Sequence, residues 1–329
     1  MYVRATSLFS ERQLFPVELG FIPPEGYVFE VTEERFQVLA GDNKFNGVFV
    51  EEVKQAEIKR KKMAGKKENK IAIIVPNCNY SEWLEKCLTS ILNQTYKNYE
   101  IIFVDDMSTD NSLDIARSIL KKPHKVIALK QKRYNGGARN EAYLHLSKDV
   151  DYIWYVDSDD WLLHENVLME INQMLSSGPD VLFVGMTEHR NGVDTPCHIP
   201  KYKDRYEALK GWSGSCGKVI RKELATRQDC LYNEGTLKED KNHHCKICIN
   251  MDDFLCLPKP FYVWNRDNAK SVTTVREKIK WGTSTIRHYA DTMELYLSVK
   301  GHDYIIDSIL KDRLELAKRE MLNGGDRQF

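Results

Sequence analysis

From Lys70 onward the chain alternates between two hydrophobic rhythms. The stretches "KIAIIVPN" (70–77), "YEIIFVDD" (99–106), "HKVIALKQ" (124–131) and "DYIWYVDSDD" (151–160) each carry a short, nearly continuous apolar run. Runs of that length, closed by polar turn residues, predict strands buried on both faces. Between them, "SEWLEKCLTSILNQ" (81–94) places Trp83, Leu84, Cys87, Leu88, Ile91 and Leu92 on one helical face. Asn79 followed by Glu82 is its expected start. A second helix, after the turn "MSTDNS", carries Leu113, Ile115, Ala116, Ile119 and Leu120, and a third is expected to follow Asn140. Strand–helix–strand repetition of this kind predicts an α/β fold: a mostly parallel sheet flanked by helices.

The pattern changes on either side. Residues 1–58 hold "GYVFEVTEERFQVLAGDNKFNGVFVEEV", which predicts a strand, a short helix from Thr32 and a second strand, a small α+β module near the lower limit for independent folding. Residues 59–69 lie in "KRKKMAGKKENK", dense in lysine and nearly bare of large apolar residues, and read as a linker or helix end, with a basic patch on lipid or polymer phosphate as the alternative. Residues 70–275 carry the alternation. Residues 276–329 read as a helical extension whose packing side includes Trp281, Ile286, Tyr289 and Met293, facing protein or a membrane surface.

Composition narrows the function classes. With 48 Lys plus Arg against 48 Asp plus Glu, no overall field favours nucleic acid as a partner. No apolar run is long enough to span a bilayer, and "MYVRATSLFSERQLF" lacks a signal-peptide core, so a cytoplasmic protein is expected, with peripheral membrane contact as an option. Eight cysteines in 329 residues are too sparse for a disulfide scaffold and are expected to be reduced thiols. Cys245 and Cys248 have one tight metal-ligand spacing, but zinc needs two such pairs, and packing of both against the sheet is the expectation.

Candidate chemistry gathers where strands end, which is where ligands sit on parallel sheets. Asp157, Asp159 and Asp160 follow the apolar run "YIWYV", a clustering of like charge that needs an offsetting cation. Hard divalent ions take oxygen ligands and bridge a few carboxylates to substrate phosphates; capping aspartates on a solvated turn are the plain alternative. Asp106 ends "VDD", Asn77 ends "VPN", and "YNGGARN" offers Gly136 and Gly137 for close backbone approach and Arg139 as a fork of donors. Carboxylates, an arginine and a metal site on one edge suit a nucleotide diphosphate.

These motifs, in this order, resemble family 2 glycosyltransferases, which have the GT-A fold. The likeness runs from about Lys70 to Thr274 and includes "IAIIVPNCNYSEWLEKCLTSILNQTYKNYEIIFVDDMSTDNS", "NGGARN", "YVDSDDWLLHENVL", "GKVIRKEL", "KED" and "FYVWNRDNAKSVTT", as in members that build surface polysaccharides or decorate wall polymers. It implies an inverting transfer from a nucleotide diphosphate sugar, UDP-linked, to a hydroxyl of a glycan or polymer acceptor, with Mn2+ or Mg2+. It implies Pro76, Asn77, Asp106, Asn135, Arg139, Asp157 and Ser158 around the nucleotide, with Asp106 on the uracil. Asp159, with Asp157, would hold the metal, and Asp240 would be the general base with Glu239 beside it. Two departures stand out: Cys78 replaces the usual aromatic of the first turn, and Asn268 and Ser271 occupy the segment where relatives carry a histidine ligand. Residues 1–58 resemble small accessory modules of phage and prophage proteins, which would make them the contact for a particle or a second copy. A non-catalytic sugar-binding or virion-associated protein on the same fold is the competing expectation. A nucleotidyltransferase is disfavoured because "VPNCNYSEW" contains no glycine-rich phosphate loop.

Overall fold

The computed structural model describes residues 68–235 and 239–271, together with the backbone of three short strands before them. The chain divides into two compact units, Met1–Glu68 and Asn69–Phe329. In the first, β1 (Tyr2–Ala5) lies between β2 (Val28–Glu30) and β3 (Val50–Val53), antiparallel to both. The two strands expected there are present. β1 is an addition that "YVRA", four residues with one charge, is too short to signal. The helix expected from Thr32 and those expected in residues 276–329 lie outside the described residues.

The second unit contains β4 (Ile71–Asn77), α1 (Ser81–Leu92), β5 (Tyr99–Asp105), α2 (Ser112–Ile119), β6 (Lys125–Ala128), α3 (Tyr134–Tyr143), β7 (Tyr152–Tyr155), β8 (Trp161–Leu162) and α4 (Val167–Leu175). There follow β9 (Val181–Arg190), β10 (Val193–His198), α5 (Arg205–Lys210), β11 (Lys218–Arg221), α6 (Lys222–Ala225), α7 (Glu239–Asn250) and β12 (Phe254–Asn265). The strands form one sheet in the order β6-β5-β4-β7-β11-β9-β12-β8, with β10 paired to β9. Its first half is parallel, as the continuous apolar strands predict. Beyond β7 the sheet is mixed: β11 runs antiparallel to β7 and β9, while β12 is parallel to β9.

Every residue of β4 and β5 is buried. Ala72, Ile74, Ile102 and Val104 join Ala138 and Ala142 of α3 and Cys245, Ile247 and Cys248 of α7 in one core. The alternate residues Ile71, Ile73, Ile101 and Phe103 are equally inaccessible, so both sheet faces are covered. On α1 the buried stripe is Leu84, Cys87, Leu88 and Ile91, and all eight cysteines are free thiols.

Two expected helix starts are displaced. At α1, Asn79 takes a left-handed φ of 63° and its side chain accepts from Thr109 N at 2.7 Å, while Asp110 caps the helix by accepting from Ser81 N at 3.0 Å. A carboxylate from another turn does what the local Asn–Glu pair was expected to do. α3 begins at Tyr134 rather than after Asn140 and swallows the glycine pair. Glycine disfavours helix by about 1 kcal/mol, which hides this helix from its sequence. Close packing requires it all the same: a Cβ on Gly136 would lie 2.6 Å from Asn233 O. Gly136 thus admits the protein's own segment around Asn233.

Because β5, β4 and β7 are parallel neighbours, Asp105, Asn77 and Tyr155 end at one edge of the sheet. Asp106 N donates to Asn77 O (2.8 Å) and Val156 N to Ile74 O (3.0 Å), which carries the pairing into the turns. The candidate chemistry stands on those turns.

Candidate active site

Arg139, on α3, is 1% exposed. Its Nη1 donates to Glu239 Oε1 (2.8 Å) and Asp240 Oδ1 (2.9 Å), and its Nη2 donates to Asp157 Oδ1 (2.9 Å). The rings of Tyr155 and Tyr232 lie 5.8 and 5.2 Å from the guanidinium carbon, within cation–π range. One buried cation thus answers the aspartate cluster. It draws together the turn after β7 and the start of α7, the latter about a hundred residues from Arg139 in the chain.

Three carboxylates around one guanidinium leave an excess of negative charge. Burial, reinforced by Asp240, pushes Glu239 up to about 8, against the pull of Arg139. Glu239 therefore keeps its proton at neutral pH, and Arg139 faces the carboxylates of Asp157 and Asp240. Burial also raises Asp157, and it pushes Asp159 up to about 6 with Asp157 adding to the shift. Asn268 Nδ2 donates to Asp159 Oδ2 at 2.8 Å. Asp160 faces inward, accepting from the Tyr262 hydroxyl and from Asn265 N, so the third aspartate anchors β12.

Asp106 is held differently. Its Oδ1 accepts from Arg133 N (2.7 Å) and its Oδ2 pairs with Lys132 Nζ (3.1 Å). Lys132 Nζ also reaches Cys78 Sγ (2.7 Å), and the lysine side chain is 41% exposed. Asn77 braces the same turn, donating to Asp105 Oδ1 and Ser108 Oγ, both at 3.0 Å. Pro76 precedes it within β4, and Asn135 stands half-buried on the first turn of α3.

Several buried polar atoms have no hydrogen-bond partner among the described residues: Asn77 Oδ1, Ser112 Oγ, Arg139 Nε, Ser158 Oγ, Arg266 Nε and the side-chain nitrogens and oxygen of Asn242 and His243. Asn77, Arg139 and Ser158 belong to the motifs just described, and Asn242 and His243 to the helix that begins with Glu239 and Asp240, whereas Ser112 starts α2 and Arg266 follows β12. An orphaned buried group costs about 1–3 kcal/mol, and those of Asn77, Arg139 and Ser158 fall within the candidate motifs.

The sequence profile of glycosyl transferase family 2 matches residues 72–224. The chain carries a family 2 glycosyltransferase domain. A poly(ribitol-phosphate) beta-glucosyltransferase of Bacillus spizizenii is 37% identical over 132 residues, 39% of this chain and 20% of that protein. The chain spans less than half the length of the curated relatives that it matches at 35–40% identity. Among solved structures, S. aureus TarS in complex with UDP-GlcNAc superposes with a TM-score of 0.61 at 22% identity, over 74% of this chain and 71% of that one. A mannosyltransferase from Pyrobaculum calidifontis, solved with GDP-Man and Mn2+, gives 0.54 at 15% identity over 79% and 76%. The family 2 domain has the GT-A fold, with helices flanking a mixed sheet.

Arg139, expected around the nucleotide, stands among Asp157, Glu239 and Asp240, with both terminal nitrogens engaged. Two residues went unnamed by sequence reasoning. Lys132 is preceded and followed by other basic or polar residues, and Ser215 lies in the loop "GWSGSCGK", whose course no periodicity reveals. Ser215 Oγ donates to Asp240 Oδ1 at 2.5 Å.

The donor set fits a divalent cation. Asp157 and Asp159 repel each other on a buried edge with surplus negative charge, and Asp159 retains a second oxygen beyond the one bonded to Asn268. Among the described residues no group of three or more His, Cys, Asp or Glu is arranged to hold a metal. Two protein carboxylates with phosphate oxygens from a ligand are the set magnesium and manganese favour. Asn268, one of the two residues noted as a departure, donates to Asp159. Cys245 and Cys248 are buried in the core, facing the sheet side of α7. Among the described residues no helix is long and apolar enough to cross a membrane.

Proposed function

We propose that this chain is a metal-dependent, inverting glycosyltransferase that moves a sugar from a UDP-sugar to a hydroxyl of a surface or wall polymer. The observation carrying the reading is that Arg139 ties Asp240 and Asp157, each at 2.9 Å, to a single point. A base for the acceptor and an anchor for the donor are needed within one sugar ring of each other.

In this reading Asp106 accepts from the base N–H, with Lys132 giving way as the base enters. Asp157 and Asp159 would hold the divalent cation, whose charge when bound offsets that of the diphosphate leaving group. Asp240 takes the proton of the acceptor hydroxyl as that oxygen bonds to the anomeric carbon. The anomeric carbon–oxygen bond breaks on the opposite side, and its electron pair leaves on the diphosphate. Attack opposite the leaving group inverts the anomeric centre. Pro76, Asn77, Asn135 and Ser158 line the nucleotide. The polymer acceptor is suggested by the B. spizizenii relative, and UDP by the ligand in TarS. We assign residues 70–275 to transfer, residues 1–58 to an accessory role and residues 276–329 to an extension, and we place the protein in the cytoplasm.

Asp240→Asn should lower sugar transfer by roughly 10²–10⁴-fold while UDP binding in the presence of Mn2+ stays within about twofold. Asp159→Ala should show the reverse emphasis, losing the Mn2+ enhancement of UDP binding in calorimetry. Full turnover by Asp240→Asn would remove the base, and unaltered Mn2+ dependence in Asp159→Ala would remove the metal site.

A further inference from the structure

Asp240 is held by more than Arg139. Ser215, 1% exposed, donates to the same Oδ1 atom at 2.5 Å. The Tyr232 hydroxyl lies 2.6 Å from Ser215 Oγ. A serine hydroxyl has one proton, and a carboxylate only accepts, so that proton goes to Asp240 and Tyr232 must donate to Ser215. The result is a one-directional chain, Tyr232 to Ser215 to Asp240.

The turn bearing Ser215 is fixed on each side. Lys218, fully buried, donates through Nζ to Gly214 O (2.6 Å) and Ser213 O (3.1 Å). The next residue's carbonyl, Cys216 O, accepts from Trp154 Nε1 at 2.6 Å. Gly214 packs so tightly that a Cβ would meet the Trp212 ring at 2.1 Å. A buried ammonium is costly unless it is hydrogen-bonded, and among the described residues the carbonyls of Ser213 and Gly214 accept from Lys218. Here it fixes the position of one hydroxyl.

We propose that Ser215, backed by Tyr232, is a positioning residue that locks the Asp240 carboxylate with Oδ1 inward, leaving Oδ2 to receive the acceptor proton. Oδ1 takes two bonds, from Arg139 and Ser215, both of them buried donors. The Asp240 side chain is nonetheless 35% exposed, and the hydrogen bonds from Arg139 and Ser215 both fall on Oδ1. Free rotation of the carboxylate would present either oxygen at varying angles; two donors on one oxygen remove that freedom before the acceptor arrives. The inference rests on Asp240 being the base.

The test measures UDP release from UDP-GlcNAc and UDP-glucose with Mn2+, alongside UDP affinity by calorimetry. The variants of the full chain are Ser215→Ala, Ser215→Thr, Tyr232→Phe and Asp240→Asn. Ser215→Ala is expected to lower kcat roughly 10- to 100-fold, the range for a lost hydrogen bond to a charged group. The donor KM and UDP affinity should remain within about twofold of the parent, because Ser215 acts on the base and not on the nucleotide. Ser215→Thr, which keeps the hydroxyl, should recover most of the loss. Tyr232→Phe keeps the ring and should cost about 2- to 10-fold in kcat, so it carries the test should Ser215→Ala fail to fold. A serine that only shaped the turn would lower melting temperature and donor affinity together, with threonine no better than alanine; that pattern overturns the proposal. Parental kcat in Ser215→Ala beside a collapsed Asp240→Asn overturns it while sparing the base. Parental kcat in Asp240→Asn removes the base reading and this inference with it.

Discussion

Asp106 and Asp157 end strands on either side of β4, yet their carboxylates are held by different chemistry. Asp106 accepts from one main-chain N–H and from Lys132, a flexible side chain 41% exposed. Asp157 shares with Asp240 and Glu239 a guanidinium that is 1% exposed. The first arrangement suits a site whose partner changes: an exposed lysine is easily displaced, and the pair contributes little stability. The second suits a centre that must not move between turnovers, because its cation and Glu239 are buried and its groups depend on one another. The lesson is that an acidic sheet edge can combine an exchangeable pocket with a preorganised one, the difference lying in the burial of the cation.

Removing Arg139 is the most severe way to break this contrast. Arg139→Met leaves Asp157 and Asp240 facing each other without a cation, which should cost about 3–5 kcal/mol of stability, read by denaturant unfolding. A variant as stable as the parent would mean that the cluster does not depend on its cation.

Protonation gives a second, smaller effect. Glu239 titrates at about 8 in the folded chain against an ordinary 4.5. Between those values the folded state holds a proton that the unfolded state has released. Stability contributed by this group is therefore complete at low pH, falls as pH rises through the window, and levels off above about 8. Glu239→Gln should remove up to about 1.4 kcal/mol per pH unit of that slope. Identical slopes in the two proteins would show that Glu239 ionises normally.

The exchangeable pocket should respond in binding and not in stability. Asp106→Ala is expected to weaken UDP binding roughly 10-fold, with little change in unfolding. Lys132→Met should shift affinity less than about threefold, because the lysine side chain is 41% exposed even though Asp106 is buried. A large loss of stability in either variant would erase the distinction from the Arg139 centre.

How far the sequence carried this picture follows from the same physics. β4, β5 and β7 were legible because strands covered on both faces must be continuously apolar, and the turns carrying Asn77, Asp106, Asp157 and Asp159 follow directly from where those runs stop. α3 is misplaced because Gly136 and Gly137 contradict helix propensity, while Gly136 is required by a contact with Asn233, almost a hundred residues away. The start of α1 was misread for a like reason, its cap being Asp110. β11 carries a buried Lys218 whose partners are carbonyls of the preceding turn, so its four residues resemble a loop. Arg139 was recognised as important, but its partners depend on which turns meet in space, and no spacing along the chain encodes that. Ser215 was invisible for the same cause.

In the proposed mechanism Asp157, Asp159 and Asp240 form one transfer centre around Arg139. A crystal structure of the full chain with UDP-GlcNAc and Mn2+ tests this most directly. The predicted result is a cation bound by Asp159 and Asp157 together with the diphosphate, uracil on Asp106, and Asp240 Oδ2 facing the anomeric carbon from the side opposite the leaving group. A nucleotide bound away from Asp106, or a sugar whose anomeric carbon is turned from Asp240, would contradict it.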